Sequence, residues 1–363
     1  MKETCLHSRH VEMGALMSPF AGYDMPISYR GIEEEHNAVR GKVGVFDVSH
    51  MGEVLINGEQ ATEFVNHIFT GDVAPMVGGK VMYGMMLYDD GGVVDDLLVY
   101  KCDANTYFLV INASNIDKDV EWIMAHTPGY NVTVNNLSED YGQLALQGPE
   151  AEATLKQVLG IDASALTFYT FTVPDFAGEK APLVVSRTGY TGEDGFEIYA
   201  TPNLIVEYWD KLIAAGVEPC GLGCRDTLRF EAGLPLYGDE LTDKITPLEA
   251  GLGMFAKVDK PEFIGRDVLV KQKAEGMRYK VVGLEIEGKA IARHGYPVLN
   301  EAGEQVGEIT TGYHSITLDK NIAMALVNPQ YAALDTKLQV QVRRKVFATV
   351  VIKKRFYQPK YKN

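Results

Sequence analysis

Gly91-Gly92-Val93-Val94-Asp95-Asp96-Leu97-Leu98-Val99-Tyr100 sets two carboxylates inside a run that otherwise reads as a buried strand. Side chains of a strand alternate between its faces, so Asp95 and Asp96 cannot both face one pocket. At most one is a functional acid. The other must face solvent, cap a turn or find a partner, because an unpaired carboxylate in a core is costly. The glycine pair permits a tight turn into the strand, and the arm of a hairpin is a rigid place from which to hold an acid against a ligand. A polar kink in a surface hairpin fits the same residues, and the stretch alone leaves both readings open.

Working outward, residues 82–87 and 93–100 read as strands joined by the turn Asp89-Asp90-Gly91-Gly92, and 107–112 as a third strand leading into a helix at 116–126. Upstream, 32–40 predicts a helix with Glu33, Glu34 and Glu35 at its start and Arg40 at its end; 43–56 predicts strand, turn and strand; 60–69 a short helix. Downstream, 143–147 reads as strand, 150–159 as helix, and 183–187 and 196–200 as strands around a turn at 189–195. Residues 203–215 predict an amphipathic helix with Leu204, Tyr208, Leu212 and Ala215 on its buried face, and 225–231 a short helix rich in ions. After residue 271 the character changes. Short strands at 280–286, 297–299, 305–311, 323–327, 337–343 and 347–353, with few helical signals between them, predict a small antiparallel barrel or sandwich. The class is α+β.

At 363 residues the chain exceeds one typical core, which predicts two or three domains. Its net charge of -15 argues against wrapping nucleic acid. No apolar run approaches the length that spans a bilayer, and the start lacks the pattern of a secretory signal, so a cytoplasmic location with no membrane partner is expected. Cys220 and Cys224 stand one residue wider apart than a redox pair and no second pair follows them, so no metal site is expected.

Two more polar clusters flank this picture. Arg187-Thr188-Gly189-Tyr190-Thr191-Gly192-Glu193-Asp194-Gly195-Phe196-Glu197 lacks the lysine and hydroxyl of a phosphate-binding loop. Its glycines permit close backbone approach, Tyr190 offers a stacking face, and Glu197 can accept paired N–H bonds from a planar heterocycle. A tight hairpin with solvent-facing acids is the equal alternative. In Gly221-Leu222-Gly223-Cys224-Arg225-Asp226-Thr227-Leu228-Arg229-Phe230-Glu231-Ala232-Gly233, Arg225 and Arg229 share a helical face, where like charges repel unless carboxylates or a ligand compensate. Either an ion-pair network or arginine forks bracing a ligand would do so.

Phe46-Asp47-Val48-Ser49-His50-Met51-Gly52, the stretch from Gly92 to Leu98, and these two clusters occur in the order found in the T protein of the glycine cleavage system, the tetrahydrofolate-dependent aminomethyltransferase family. The similarity runs from Phe20-Ala21-Gly22-Tyr23 through Pro247-Leu248-Glu249 into the last domain. A related iron-sulfur-associated folate protein carries a cysteine where this chain has Tyr190-Thr191, which counts against that branch.

The resemblance implies a clover-like, three-domain α+β folate-binding fold with a C-terminal antiparallel β-barrel. Its domains would be residues 1–50 with 139–270, an inserted 51–138, and 271–363. The implied reaction takes an aminomethyl group from the lipoyl arm of the carrier (H) protein and gives ammonia, methylene-tetrahydrofolate and the dihydrolipoyl carrier, with tetrahydrofolate as co-substrate and no metal. A non-enzymatic folate-binding assembly or repair protein is the alternative. Matched positions place Asp96 at the reactive nitrogens, where a carboxylate stabilises developing positive charge; positioning and electrostatics are expected over base action, because an ordinary aspartate is a weak base at neutral pH. They place Glu197 and Arg229 on the polar edge of the pterin, Asn112 as donor and acceptor to the same ring, and Met51, Tyr83 and Tyr190 along the channel. The basic residues Lys353, Lys354, Arg355 and Lys360 to Lys362 are candidates for an anionic tail or partner. A monomer is expected.

Overall fold

The computed structural model describes residues 1–362 apart from Ala177, Glu179 and Lys180. Along the chain run α1 (His7–Glu12), β1 (Leu16–Phe20), β2 (Tyr23–Ser28), α2 (Ile32–Gly41), β3 (Gly44–Asp47), β4 (Gly52–Asn57), α3 (Ala61–Ile68), β5 (Lys80–Leu87), β6 (Val93–Lys101), β7 (Thr106–Ile111), α4 (Ile116–Ala125), β8 (Thr133–Asn136), β9 (Gly142–Gln147) and α5 (Ala151–Leu159). Then follow β10 (Val184–Ser186), β11 (Gly195–Ala200), α6 (Pro202–Ala214), β12 (Glu218–Cys220), α7 (Leu222–Glu231) and α8 (Arg266–Glu275). The last part holds β13 (Lys280–Ile286), β14 (Pro297–Leu299), β15 (Gln305–Ser315), β16 (Lys320–Val327), β17 (Lys337–Val342) and β18 (Lys345–Ile352).

Two five-stranded sheets carry the α+β part, one ordered β10-β11-β9-β3-β12 and the other β5-β6-β7-β4-β8. Each buries one face under helices: Trp209, Leu212, Phe196 and Leu146 pack in the first sheet's helix-side core, and Phe64, Ile68, Leu97 and Val99 in the second's. The opposite faces turn toward each other across an aromatic cluster of Tyr100, Phe108, Tyr141, Phe171 and Tyr199. There the hydroxyls of Tyr100 and Tyr199 lie 2.9 Å apart and satisfy each other in the core. This inter-sheet space positions the site.

The barrel closes through β13 pairing with both β16 and β18, which leaves no free edge. It docks on α7, where Phe230 packs with Val281, Ile322 and Met324. The C-terminal tail then returns to the first sheet's domain: Tyr361 stacks on Phe168 at 3.9 Å and the Arg40 guanidinium lies 3.9 Å over Tyr357.

Several expectations need correction. The buried stripe of α6 is Ile205, Tyr208, Trp209 and Leu212, while Ala215 lies beyond the helix and is exposed. Trp209, the largest apolar side chain on the helix, sets the rotation that a count of smaller residues misplaces. Helix α1, the hairpin of β1 and β2, and strand β8 were not expected. The cut expected between residues 270 and 271 falls inside α8, whose single fully buried side chain, Leu269, gives almost no apolar period to read.

Candidate active site

The turn into β6 depends on both glycines. Gly91 has φ +84°, and a Cβ on Gly92 would stand 1.9 Å from the Asp243 carbonyl oxygen. Pairing with β5 then slips: Met86 faces Asp95 but Leu87 faces Val93, so Val94 is a bulge residue. Beyond it the strand alternates. Leu97 and Val99 enter the helix-side core, and Leu98 and Tyr100 the inter-sheet core. Asp95 falls on the first side, fully buried, and Asp96 on the second, half-buried.

Asn112, just past β7, joins the two acids. Its Nδ2 lies 2.9 Å from Asp95 Oδ1 and 2.9 Å from Asp96 Oδ1, and its backbone N–H donates to Asp95 Oδ2 at 2.9 Å. The amide hydrogens that a ring ligand was expected to use are therefore spent on the aspartates. The Asn112 carbonyl oxygen is the group left for a ligand. Tyr83 of β5 donates its hydroxyl to Asp96 Oδ2 at 2.9 Å and meets Phe255 edge-on at 4.9 Å. Burial first, and then the Asp95 charge, push the Asp96 carboxyl up to about 7, against the opposing bonds from Tyr83 and Asn112. The premise of an ordinary, weakly basic aspartate does not hold here.

Across the space, β11 presents Glu197. Its Oε1 accepts from Gln143 Nε2 at 3.1 Å and its Oε2 from Thr188 Oγ1 at 2.5 Å. A carboxylate has about four acceptor directions, so capacity remains for a pair of N–H donors. Burial raises the Glu197 pKa. Tyr190 is pinned by its hydroxyl to the Pro235 carbonyl, and its ring lies under the Arg225 guanidinium at 4.6 Å. The field at Tyr190 includes Asp96 as well as Arg229 and Arg225, so the β6 acid and the α7 arginines lie near one ring. Met51 is partly buried where the inter-sheet core meets the core beneath α7.

Arg229 is not free to meet a ligand. Fully buried, it donates through Nε to Asp226 Oδ1 (2.6 Å), through Nη1 to Leu234 O (3.2 Å) and Glu240 Oε2 (3.0 Å), and through Nη2 to Thr311 Oγ1 (3.5 Å) beside Asp239 (3.5 Å). Four hydrogen bonds and the ion pair with Asp239 thus engage Nε and both Nη atoms. Arg225, by contrast, is only partly buried; its neighbours are the Tyr190 ring and the charge of Glu197, and its own charge is disfavoured by burial. The sequence held one clue to this division: Asp226 and Arg229 are three apart, the spacing of a helical ion pair.

At the C-terminus, Lys353 and Arg355 are exposed, but Lys354 turns inward, donating to the Ala250 carbonyl at 2.8 Å, with burial pulling its pKa down to about 8. Lys362 pairs with Glu152 at 2.8 Å. Among the described residues no three His, Cys, Asp or Glu side chains gather as metal ligands, and no helix is long and apolar enough to cross a membrane.

Comparison with known proteins covers nearly the whole chain. The model of the GCVT N-terminal domain matches residues 6–260, and that of the glycine cleavage T-protein C-terminal barrel domain matches residues 280–358. The chain belongs to the glycine cleavage T-protein family. It is 47% identical to an aminomethyltransferase of Alkaliphilus oremlandii, covering 98% of each chain, and 48% identical to one of Clostridium botulinum, covering 100% of this chain and 99% of the relative. The crystal structure of glycine cleavage system aminomethyltransferase T from Bartonella henselae superposes with a TM-score of 0.94 at 30% identity, covering 100% and 99% of the two chains. This member of the family is an enzyme, a tetrahydrofolate-dependent aminomethyltransferase of glycine cleavage, and the non-enzymatic alternative is set aside. Membership in the T-protein family implies binding of tetrahydrofolate and interaction with the H protein.

Proposed function

We propose that Asp96 is the reacting carboxylate of the aminomethyl transfer. The observation that carries this is its position: an acid on a rigid strand, facing the inter-sheet space, held by Tyr83 and Asn112, and brought by burial to a pKa near 7. Moving a one-carbon unit from sulfur to nitrogen with loss of ammonia builds positive charge on that carbon. It also moves two protons in all, as the carbon bonds two folate nitrogens in turn and each gives up its hydrogen: one proton goes to the leaving amine and one to the leaving thiolate. An ionised carboxylate stabilises the positive charge, and one titrating near neutrality exchanges such protons efficiently.

Glu197 and Arg225 would hold the polar edge of the folate ring, Glu197 accepting its N–H groups and Arg225 donating to its carbonyl. The Tyr190 ring, fixed by its hydroxyl to the Pro235 carbonyl, would offer the folate ring a stacking face. Met51 and Tyr83 would wall the channel, and the Asn112 carbonyl oxygen would accept a single N–H. The carrier body would dock outside while its lipoyl arm enters, so that a modest, transient contact suffices, with Lys353 and Arg355 as the exposed basic residues at the tail. The enzyme would act as a monomer in the cytoplasm, since both sheets and the barrel come from one chain.

Ammonia release on mixing the enzyme with tetrahydrofolate and aminomethyl-loaded carrier tests this reading directly. The expected result is release by the native enzyme and its loss in Asp96→Asn with folate binding retained. Equal release by the two, with chemistry limiting both, would reject the assignment. Sedimentation velocity should give a single-chain species; a persistent dimer whose separated subunits lose turnover would reject the monomeric site.

A further inference from the structure

Behind Asp96, on the helix-facing side of β6, lies a set of buried groups that the reaction as described does not use. Asp95 and Asp119 are both completely shielded from solvent. Asp95 accepts from the Asn112 backbone N–H (2.9 Å), from Asn112 Nδ2 (2.9 Å) and from Asn115 Nδ2 (2.7 Å). Asp119 sits on α4 beside Lys118, whose Nζ donates to Asp119 Oδ1 at 2.6 Å and also to the Val94 carbonyl at the bulge. The second oxygen of Asp119 is enclosed with no donor, and its neighbour is the Asp95 carboxylate.

Two carboxylates in contact inside a core do not both stay ionised. A proton on one of them removes the repulsion and turns the orphaned oxygen into a hydrogen-bond donor. The hydrogen bonds decide which one. Three N–H groups donate to Asp95, whereas Asp119 has a single cation that it shares with a backbone carbonyl. Burial first and the Asp95 charge next push the Asp119 carboxyl up to about 10, in the same direction.

We propose that Asp119 is a positioning residue of this reaction: it keeps its proton and donates it to Asp95, so that Asp95 stands as a fixed negative charge behind Asp96. Asn112 transmits the arrangement, since one amide group bonds both aspartates. The Asp95 charge then makes Asp96 hold its proton more tightly than an ordinary aspartate does. Other groups surround the set. Asp96 also faces Tyr83, Tyr169 and Tyr190, and the Asp95–Asp119 pair faces Lys118 and Tyr237, with Asp243 beyond that tyrosine. Of those named, Lys118 alone is cationic, and its Nζ lies over the Tyr237 ring at 5.3 Å. The inference rests on the reading of Asp96 as the reacting carboxylate.

Asp119→Asn tests it, because asparagine is neutral and still donates to Asp95. The midpoint of turnover against pH should stay within about 0.3 unit of the native value, because replacing a neutral Asp119 removes no charge from the set, whereas losing an ionised Asp119 would lower the midpoint by about 1 unit. Infrared difference spectra of native enzyme minus Asp119→Asn at pH 8 should show the C=O band of one protonated carboxyl. Lys118→Met supplies an independent route, since the band should persist in that variant. A midpoint lowered by about 1 unit in Asp119→Asn, or a protonated band that arises only when Lys118 is removed, would mean that Asp119 is ionised by the lysine and would overturn the proposal. Native turnover in Asp96→Asn would instead sink the reading of Asp96. The infrared bands would then decide where the proton sits without reference to turnover.

Discussion

Strand β6 and helix α7 each carry a pair of like charges, and the fold divides each pair the same way. Asp95 and Arg229 are fully buried and saturated with hydrogen bonds, while Asp96 and Arg225 face the space between the sheets. The two divisions have different physical origins. On the strand, a period of two sends neighbours to opposite faces whatever surrounds them. On the helix, residues four apart share a face, and only the carboxylates supplied from elsewhere, Asp239 and Glu240 after the helix and Asp226 within it, decide which arginine is consumed. Inward charges of this kind hold the scaffold together, and the outward ones remain available for chemistry.

The sharpest way to break this comparison is to remove the two arginines separately. Arg229→Ala leaves Glu240 buried without its cation and should lower the unfolding free energy by about 3 kcal/mol or more, whereas Arg225→Ala should stay within about 1 kcal/mol of the native protein. Urea unfolding followed by circular dichroism reads both. Similar losses in the two variants would show that Arg225 is as structural as Arg229.

The strand pair should divide by turnover. Asp96→Asn should lose at least about tenfold in kcat, a deficit of about 1.4 kcal/mol in transition-state stabilisation, with little change in folate affinity. Asp95→Asn should retain more of the turnover at pH 8 and move the midpoint of the pH profile downward, because it removes the charge that raises the Asp96 pKa. If Asp95→Asn proved the more damaging in kcat at pH 8, the functional face of β6 would be the helix-facing one.

A smaller effect should appear in binding. Glu197→Gln and Arg225→Ala are each expected to weaken tetrahydrofolate binding by about fivefold, close to 1 kcal/mol, in calorimetric titration. The Asp226–Arg229 network is left intact by both changes, so retained affinity would place the folate ring elsewhere in the channel.

How far the sequence discloses this site follows from the same contrast. Alternation along β6 separates Asp95 from Asp96 with no knowledge of the fold, and the Asp89-to-Gly92 turn and the short strands of the barrel are legible for similar local reasons. Arg225 was visible as one of a pair but not as the free member, because its release depends on Glu240 and Thr311, which the chain brings to Arg229 from 11 and 82 residues away. Asn112 showed its residue type and its place after a strand. That its amide hydrogens are taken by two aspartates depends on how β6 and β7 pair. Lys118 and Asp119 gave no signal at all, since an adjacent lysine and aspartate on a helix usually read as solvated surface.

The last expected effect is on stability against pH, and it asks whether the outward acid is held at a cost to the fold. Asp96 has an ordinary value of 3.8 when unfolded and about 7 when folded. Below pH 4 both states are protonated and the group contributes nothing. Between about 4 and 7 the unfolded chain binds fewer protons at this site than the folded one, so native stability falls as pH rises, and above 7 the whole penalty is present. Asparagine at position 96 carries no such penalty, yet its carbonyl can still accept from Asn112. The stability of Asp96→Asn relative to the native enzyme should therefore climb from pH 4 to pH 7 and then level off. Each unit of the Asp96 shift contributes about 1.4 kcal/mol, so a folded value near 7 makes the climb up to about 4 kcal/mol, less in proportion where solvent screens the group. Thermal unfolding of both proteins in matched buffers across that range gives the difference curve. A flat curve would mean that Asp96 titrates like an exposed aspartate, and the contrast drawn between the strand's two acids would then rest on geometry alone.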